Sequence, residues 1–276
     1  LKDILPKYGI EVTMLDQVDA EGFAQAIRPT TKMMVLETPV NPLLTLTDLE
    51  AMGKLAKAHN LITICDNTFA TPILQRPIES GIDLVVHSVT KYIGGHHDLI
   101  AGCVVGSREL IEPVWSMSLV LGAVPSAFNS WLALRGIRTL DMRVQKHCQS
   151  ALALAKFLEE HPHVEKVYYP GLPSHPQAEL VQRQMEGKGG GLLSFDLAGG
   201  FKAGVRLLEK LQLIQNAASL GGIDSLAIHP AVMWGGRLPE KIIEEQGISP
   251  GMIRLAVGLE DPQDLMQDLT QALEQV

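Results

Sequence analysis

The sequence has little cysteine, and its cysteines are not placed for a compact metal site. Only three occur in 276 residues, namely Cys65, Cys103 and Cys148, and no two of them form a CxxC pair. This usage excludes a zinc ribbon and favours a reduced, cytoplasmic protein. The Walker-type phosphate loop is also absent, because the pattern GxxxxGK[ST] does not occur.

Two further absences concern positive charge and long apolar runs. The formal net charge is −8, with 31 acidic against 23 basic side chains. Nucleic acids and anionic membranes bind clustered Lys and Arg, so neither is expected as a partner. No apolar run reaches the roughly 18 residues that a membrane-spanning helix needs. With 46% hydrophobic residues, the composition predicts an ordinary globular protein with a large core and two domains.

What is present is an alternation of short apolar strands and amphipathic helices. The runs KMMVLETP, LITICD and GIDLVVHS are typical of buried strands. Between the first two lies TLTDLEAMGKLAKAHN, which is typical of a helix capped by Thr47 or Asp48. Strands separated by helices predict an α/β fold, with a mostly parallel sheet that has helices on both faces.

The pattern changes near Arg135. The stretch WLALRGIRTLDMRVQKHCQSALALAKFLEEHP indicates a long helix that is broken or bent near Gly136, and shorter strands and helices follow it. These elements predict a smaller C-terminal α+β domain. Residues 1–135 and 136–276 are therefore expected to form two domains.

Polar side chains follow three of the predicted strands. Asn41 comes after VLETP, Asp66 ends LITICD, and Ser88, Thr90 and Lys91 come at or after the end of DLVVHS. The carboxyl ends of parallel strands meet at one edge of a sheet, where ligands bind. Pyridoxal phosphate requires such a set: a lysine for its aldehyde, a carboxylate for its pyridine nitrogen, and hydroxyls for its phosphate.

Each of these residues also has an ordinary structural interpretation. A lysine in a loop is usually a solvated charge, and an aspartate before an asparagine is equally suited to a turn or a helix cap. A metal site is a further alternative. Its candidate ligands are His87, His96, His97 and Asp98. Their spacing fits no compact zinc pattern.

Several longer blocks resemble a known family. DLVVHSVTKYIGGHHDLIAG is similar to the lysine signature of the Cys/Met-metabolism pyridoxal-phosphate enzymes. The blocks LETPVNPLLTLTDL, ICDNTFATPILQRPIESG, AASLGGIDSLAIHPA and SPGMIRLAVGLED match the family in order, over nearly the whole chain. The family includes cystathionine γ-synthase, cystathionine β- and γ-lyases, methionine γ-lyase and O-acylhomoserine sulfhydrylase. The resemblance implies the large domain of a fold-type I pyridoxal-phosphate transferase, followed by a smaller domain.

The resemblance implies a role for each matching residue. Lys91 would form the Schiff base with the cofactor and carry protons, and Asp66 would face the pyridine nitrogen. Ser88 and Thr90 would contact the phosphate. The residues implied on the substrate side are Asn41 near the ring hydroxyl and the carboxylate, Ser219 beside the lysine, Arg254 on the α-carboxylate, and Asp224. Asp224 stands where many γ-acting members have a glutamate that meets the distal amino group of cystathionine. Without its block, Arg254 would be interpreted as a snorkelling strand-end arginine.

Two features depart from the family pattern. Members have an N-terminal segment with a tyrosine that stacks on the cofactor and residues that reach the neighbouring subunit's site. No stretch here matches that segment, so the chain is expected to be part of a longer protein. In HPAVMWGGRLPEK, Trp234, Gly235 and Gly236 replace a Thr-His pair near the distal end of the substrate. Trp234 is equally suited to a packing role and a pocket role.

The resemblance implies a carbon–sulfur lyase of transsulfuration type, which acts by elimination on cystathionine or methionine. Replacement on an O-acylhomoserine is the alternative within the family. A catalytically inactive assembly or regulatory homologue is the alternative outside the enzymes. An aminotransferase uses the same lysine, aspartate and arginine, but the ordered blocks do not fit it. The expected partners are a small sulfur amino acid and further copies of the chain, in a homotetramer of dimers with shared sites.

Overall fold

A computed structural model describes residues 1–235 and 246–276, and its strands form two separate sheets. The helices of the described residues are α1 (Ala20–Ala26), α2 (Leu49–Ala58), α3 (Thr71–Leu74), α4 (Arg108–Leu121), α5 (Ala127–Ile137), α6 (Leu140–Glu159), α7 (Ala178–Met185), α8 (Gly200–Lys210), α9 (Pro230–Gly235) and α10 (Pro262–Leu273). Two 3₁₀ helices span Leu5–Tyr8 and Pro77–Ser80. None of these helices is both long enough and apolar enough to cross a membrane.

The first sheet contains the strands whose ends were predicted to carry the site. Its order is β1 (Met33–Glu37), β2 (Ile62–Asp66), β3 (Leu84–Ser88) and β4 (Gly102–Gly106). The first three strands run parallel, and β4 pairs antiparallel with β3. The register pairs Glu37 with Asp66, and Asp66 with Val86, so the carboxyl ends of β1, β2 and β3 lie side by side.

Helix α2 covers one face of this sheet. Asp48 is its N-cap and accepts a hydrogen bond from the backbone N–H of Ala51 at 3.1 Å, which confirms one of the two predicted caps. The apolar stripe of the helix packs with Met34 and Leu36 of β1 in one core cluster. On the opposite face, Met33 and Val35 remain 48% and 42% exposed within the described residues.

The predicted long helix is two helices. Helix α5 ends at Ile137 and α6 begins at Leu140, so the chain breaks close to Gly136, as the sequence predicted. Gly136 lies against the backbone carbonyls of Ile93 and Gly94, where a Cβ would clash. The break therefore lies where the helix contacts the loop that follows Lys91.

The second sheet forms the larger buried core. Its order is β5 (Val164–Tyr168), β6 (Leu192–Leu197), β9 (Met252–Ala256), β8 (Leu226–Ile228) and β7 (Gln215–Asn216). Helices α6, α8 and α10 pack on it through apolar side chains. The fully buried centre of this cluster includes Leu154, Leu158, Phe195, Leu207 and Leu273.

The first sheet lies within residues 1–135 and the second within 136–276. A shared core cluster joins the two parts, since Leu46 and Tyr92 pack with Val144 and Leu192. Gln177 adds two hydrogen bonds across the junction, with its Oε1 accepting from the N–H of Leu46 at 2.8 Å and its Nε2 donating to the Leu46 carbonyl at 2.7 Å. The division into two domains stays a prediction.

Candidate active site

A cavity of about 180 Å³ opens at the carboxyl edge of the first sheet. Its lining residues are Glu37, Pro39, Asp66, Thr68, Phe69, Ser88, Lys91 and Leu220. Three residues predicted from the sequence, Asp66, Ser88 and Lys91, therefore meet in one cavity. Asp66 ends β2 and Ser88 ends β3, because parallel pairing aligns the ends of neighbouring strands.

Lys91 lies in a tight turn after β3. Its backbone N–H donates to the Ser88 carbonyl at 3.1 Å, and its own carbonyl accepts from the N–H of Gly95 at 2.7 Å. Its Nζ donates to Ser219 Oγ at 2.9 Å, across 128 residues of sequence. Burial lowers the pKa of Lys91, and the positive charge of Arg254 lowers it further. Both effects favour the neutral amine, which is the form that acts as a nucleophile or base.

Asp66 is held at the opening by the chain that follows it. Its Oδ1 accepts from the backbone N–H of Thr68 at 3.0 Å. The hydroxyl of Thr68 accepts in turn from the N–H of Ser88 at 2.8 Å. The ends of β2 and β3 are thereby joined through one threonine. The Asp66 side chain itself is exposed and is available to a ligand in the cavity.

Glu37 is a lining residue that the sequence analysis did not single out. It ends β1 directly beside Asp66 in the register, so two carboxylates share the cavity. Burial is the main cause that raises its pKa to about 6, and the negative charge of Asp66 adds to it. A hydrogen bond with the backbone at Asn41 opposes the rise. Glu37 could have been found from its place at the end of a strand beside the LITICD strand.

Arg254 lies on β9 in the second sheet and turns toward the same region. It is 4% exposed, and its Nη1 donates to Asn41 Oδ1 at 3.1 Å, while Nη2 donates to the Ser219 carbonyl at 3.0 Å. Its Nε is buried and has no partner among the described residues. Burial lowers the pKa of Arg254 to about 10, so the guanidinium stays charged at neutral pH. An unmatched donor on a buried cation is what an incoming carboxylate would satisfy.

Two predicted residues lie apart from this arrangement. The hydroxyl of Thr90 donates to the Ala101 carbonyl at 3.2 Å and accepts from the Ala101 N–H at 3.0 Å, which joins the Lys91 loop to the start of β4. Asp224 is exposed in the loop before β8 and is not among the residues that line the cavity. Their contacts with phosphate and substrate stay predictions.

The remaining candidates from the sequence that the structure describes do not line the cavity. Trp234, in α9, packs beside Ile248 and Met252 in a small apolar cluster, and Gly236 lies outside the described residues. In residues 1–235 and 246–276 no three His, Cys, Asp or Glu side chains come together as a metal site. His87 is buried within β3 and pairs with Cys103 of β4 in the register.

Comparison with known proteins identifies the family. The profile of the Cys/Met metabolism PLP-dependent enzymes matches residues 1–274. The chain belongs to this family. The family membership and the pyridoxal phosphate cofactor predicted from the sequence blocks are thereby confirmed.

Relatives within the Cys/Met metabolism family match at high identity. An L-methionine gamma-lyase of Fusobacterium nucleatum subsp. polymorphum is 43% identical over 275 residues, covering 99% of this chain and 69% of that protein. A cystathionine beta-lyase of Coxiella burnetii is 43% identical over 267 residues, covering 96% of this chain and 69% of that protein. The crystal structure of a cystathionine gamma-lyase from Lactobacillus plantarum complexed with L-serine superposes with a TM-score of 0.95 at 40% identity, over 99% of this chain and 72% of that one. The predicted α/β fold of type I is confirmed.

The side chains of the cavity fit the family's cofactor. An amine with a lowered pKa and an exposed carboxylate line one cavity, which suits the two ends of an aldehyde-bearing pyridine. The hydroxyls of Ser88 and Thr68 supply donors for a phosphate. The buried Nε of Arg254 has no partner among the described residues and is a donor suited to the carboxylate of an amino acid. Both the cofactor and an amino acid therefore find complementary groups.

Proposed function

We propose that this protein is a pyridoxal-phosphate-dependent carbon–sulfur lyase of sulfur amino acid metabolism. The observation that carries the proposal is the meeting of Lys91 and Asp66 in one cavity, with Arg254 reaching the same region from the second sheet. The direction toward elimination is supported by the relatives named methionine gamma-lyase and cystathionine beta-lyase. Methionine and cystathionine are accordingly the substrates to test first.

Bound pyridoxal phosphate supplies an aldehyde that reacts with amines and a pyridine ring that stabilises negative charge at the substrate Cα. Lys91 would hold the aldehyde in the resting enzyme, and Asp66 would keep a proton on the pyridine nitrogen. Ser88 would bind the phosphate, with Thr68 beside it. Thr90 is proposed as a further phosphate contact, and only the match to the family's lysine block supports this role.

Arg254, Asn41 and Ser219 would fix the substrate by its α-carboxylate. The Arg254 guanidinium already has two of its donors bound, to Asn41 Oδ1 and the Ser219 carbonyl, so its orientation is set before any substrate arrives. A preorganised cation orients a ligand without the entropic cost of ordering a side chain. The substrate Cα would then be directed toward Lys91, because Lys91 is hydrogen-bonded to the hydroxyl of Ser219, whose carbonyl binds Arg254.

Lys91 would move the protons of the reaction. A neutral Nζ takes the proton from the substrate Cα, and the same amine can shift a proton from Cβ when the sulfur leaves from Cγ. Breaking the carbon–sulfur bond releases a thiol. Asp224 is the candidate for contacts with the distal end of the substrate, on the family block alone.

The test begins with the full-length protein and pyridoxal phosphate. The lysine-bound cofactor should give a visible absorption band that the Lys91→Ala substitution abolishes. Keto acid and ammonia released from methionine or cystathionine would then establish elimination. Product formed from O-acetylhomoserine plus sulfide or cysteine, without keto acid, would establish replacement instead. A protein that gains no band with the cofactor would be the inactive homologue, and the enzymatic proposal would fail.

We further propose that copies of the chain assemble, as a tetramer built from dimers with shared sites. Helices α4 and α5 support this proposal, because α4 has no buried residue and both helices expose large apolar side chains. Trp115, Leu121, Phe128 and Trp131 are 60%, 71%, 64% and 56% exposed. Light scattering of the full-length protein tests the assembly. A cytoplasmic location is proposed from the three cysteines, which are all free thiols.

A further inference from the structure

Arg143 is a buried cation that the proposed reaction does not use. It lies in the first turns of α6 and is 5% exposed. Its guanidinium forms no ion pair with a carboxylate of the described residues. Burying a charged group is unfavourable unless hydrogen bonds replace its hydration, so the contacts of this side chain need an explanation.

The guanidinium binds neutral oxygens of three chain segments. Nη1 donates to the Tyr92 carbonyl at 2.6 Å, and Nη2 donates to the carbonyls of Gly136 at 2.8 Å and Ile93 at 3.4 Å. Nε donates to Thr139 Oγ1 at 3.0 Å. Two of these four acceptors are the carbonyls that directly follow Lys91. A third belongs to the last turn of α5, where the helix dipole places partial negative charge.

The chain makes room for this contact at a glycine. Gly95 has φ +75°, and a Cβ there would clash with the Arg143 guanidinium. Gly221 also approaches this loop, so closely that a Cβ would lie 2.6 Å from the Tyr92 nitrogen. The loop from Lys91 to Gly95 therefore has close contacts both with Arg143 and with the segment that carries Ser219.

We propose that Arg143 is a positioning residue, which fixes the Lys91–Gly95 loop and through it the place of the lysine amine in the cavity. An arginine suits this task because its planar fork carries five N–H donors and can bridge several carbonyls at once. A lysine would keep the charge but bring one nitrogen. The inference rests on the proposed function, since it assigns Arg143 a role in presenting the lysine that would hold the cofactor.

The experiment measures how well Lys91 holds the cofactor, apart from turnover. The full-length protein is loaded with pyridoxal phosphate, and the rate at which hydroxylamine removes the cofactor is followed through the visible band. The pH midpoint of that band is recorded in the same samples. We expect Arg143→Lys to accelerate removal about tenfold, the change that corresponds to losing one hydrogen bond from a charged donor. The pH midpoint should shift as well.

Asp268→Asn is the matched control. Asp268, on helix α10, is 6% exposed and accepts from the backbone N–H groups of Gln212, Leu213 and Ile214, in the segment that leads into β7. Its replacement should lower the thermal midpoint without changing the removal rate or the pH midpoint. If Arg143→Lys behaves like this control, Arg143 is only structural and the inference is overturned.

A milder variant covers the case in which Arg143→Lys does not fold. Thr139→Val removes the acceptor of Arg143 Nε together with the hydrogen bond that the Thr139 hydroxyl donates to the Gly136 carbonyl, and it leaves the guanidinium in place. It should speed cofactor removal in the same direction by a smaller factor, and an unchanged rate overturns the inference. A wild-type protein that forms no band at all counts against the proposed function itself, so the two failures are distinguishable.

Discussion

The inner strands β6 and β9 of the second sheet are more completely buried than β1 and β2 of the first. Every residue of β6 and β9 in the second sheet is buried. In β1 and β2 the buried positions alternate with exposed or half-buried ones, and Asp66 at the end of β2 is exposed. A fully buried strand can contribute packing energy but few reactive groups, because a buried charge needs partners.

The difference assigns the chemistry to one sheet and the stability to the other. The first sheet ends in Glu37, Asp66 and Ser88 around the cavity, whereas the second contributes Arg254 from inside its buried strand β9. Arg254 is tolerated there because partners from both parts of the chain bind it. Removing Lys91, which follows the first sheet, should therefore alter function more than stability, and removing an apolar side chain from the buried strand β6 should do the reverse.

The sharpest test of this contrast is Lys91→Ala. Removing the amine that holds the cofactor and moves the protons should reduce turnover of methionine or cystathionine by at least about a thousandfold. The thermal midpoint of the cofactor-free protein should not fall, because burial already disfavours the charged lysine. Activity assays check the predicted loss of turnover, and thermal unfolding of the same preparations checks the predicted thermal midpoint.

Lys57→Ala, in the exposed last turn of α2, is the control and should leave activity unchanged. Retained turnover in Lys91→Ala would remove the catalytic assignment. A large loss of stability in that variant would instead break the contrast between the sheets.

The converse prediction concerns Phe195, which is fully buried at the centre of β6. Phe195→Ala should lower the free energy of unfolding by about 3–5 kcal/mol, through lost burial and the cavity that remains. Activity per folded molecule should stay close to wild type at low temperature. Urea unfolding measures the first quantity, and active-site titration with turnover measures the second. Phe201→Ala, at a 48% exposed position of α8, is the matched control with a much smaller effect.

Arg254→Lys probes the point where the two sheets meet. A lysine keeps the charge but loses the paired donors to Asn41 and Ser219, so substrate binding should weaken by about 2 kcal/mol. This appears as a KM roughly thirtyfold higher. Arg76→Lys, at an exposed surface pair with Glu79, should leave KM unchanged. A loss confined to kcat would show that Arg254 does not hold the ground-state substrate.

The sequence predicted the first sheet well because each signal there is local. Strand ends, the Asp48 cap and the lysine block are all read within a few residues of one another. The contact of Lys91 with Ser219 spans 128 residues, and only the family resemblance pointed to it. The phosphate contact of Thr90 stays a prediction, and nothing in the local sequence indicated that its hydroxyl also binds the backbone at Ala101, just before the antiparallel strand β4. Helix α4 was not predicted, because with no buried residue it shows no apolar stripe facing the core.

Glu37→Gln tests the cavity residue that the sequence analysis did not single out. The test is the pH dependence of stability. The pKa of Glu37 is raised from its ordinary 4.5 to about 6, so its native state binds the proton more tightly than the unfolded state does. The stability that this group contributes is complete below pH 4.5 and is lost as the pH rises through about 6. The loss amounts to about 2 kcal/mol, since one pKa unit corresponds to about 1.4 kcal/mol.

Glutamine cannot ionise, so the stability of the Glu37→Gln variant does not fall in this way. Without cofactor, its free energy of unfolding relative to wild type should rise by about 2 kcal/mol between pH 4.5 and pH 7.5. Urea unfolding across that range measures the difference. Asp66→Asn supplies the second arm, because the charge of Asp66 is part of what raises the pKa of Glu37. In a protein that already carries Asp66→Asn, the stability difference caused by Glu37→Gln should be smaller but should remain, because burial is the larger cause of the raised pKa of Glu37. A difference that is the same at both ends of the pH range would mean that burial does not raise the pKa of Glu37, and it would contradict the environment assigned to this carboxylate.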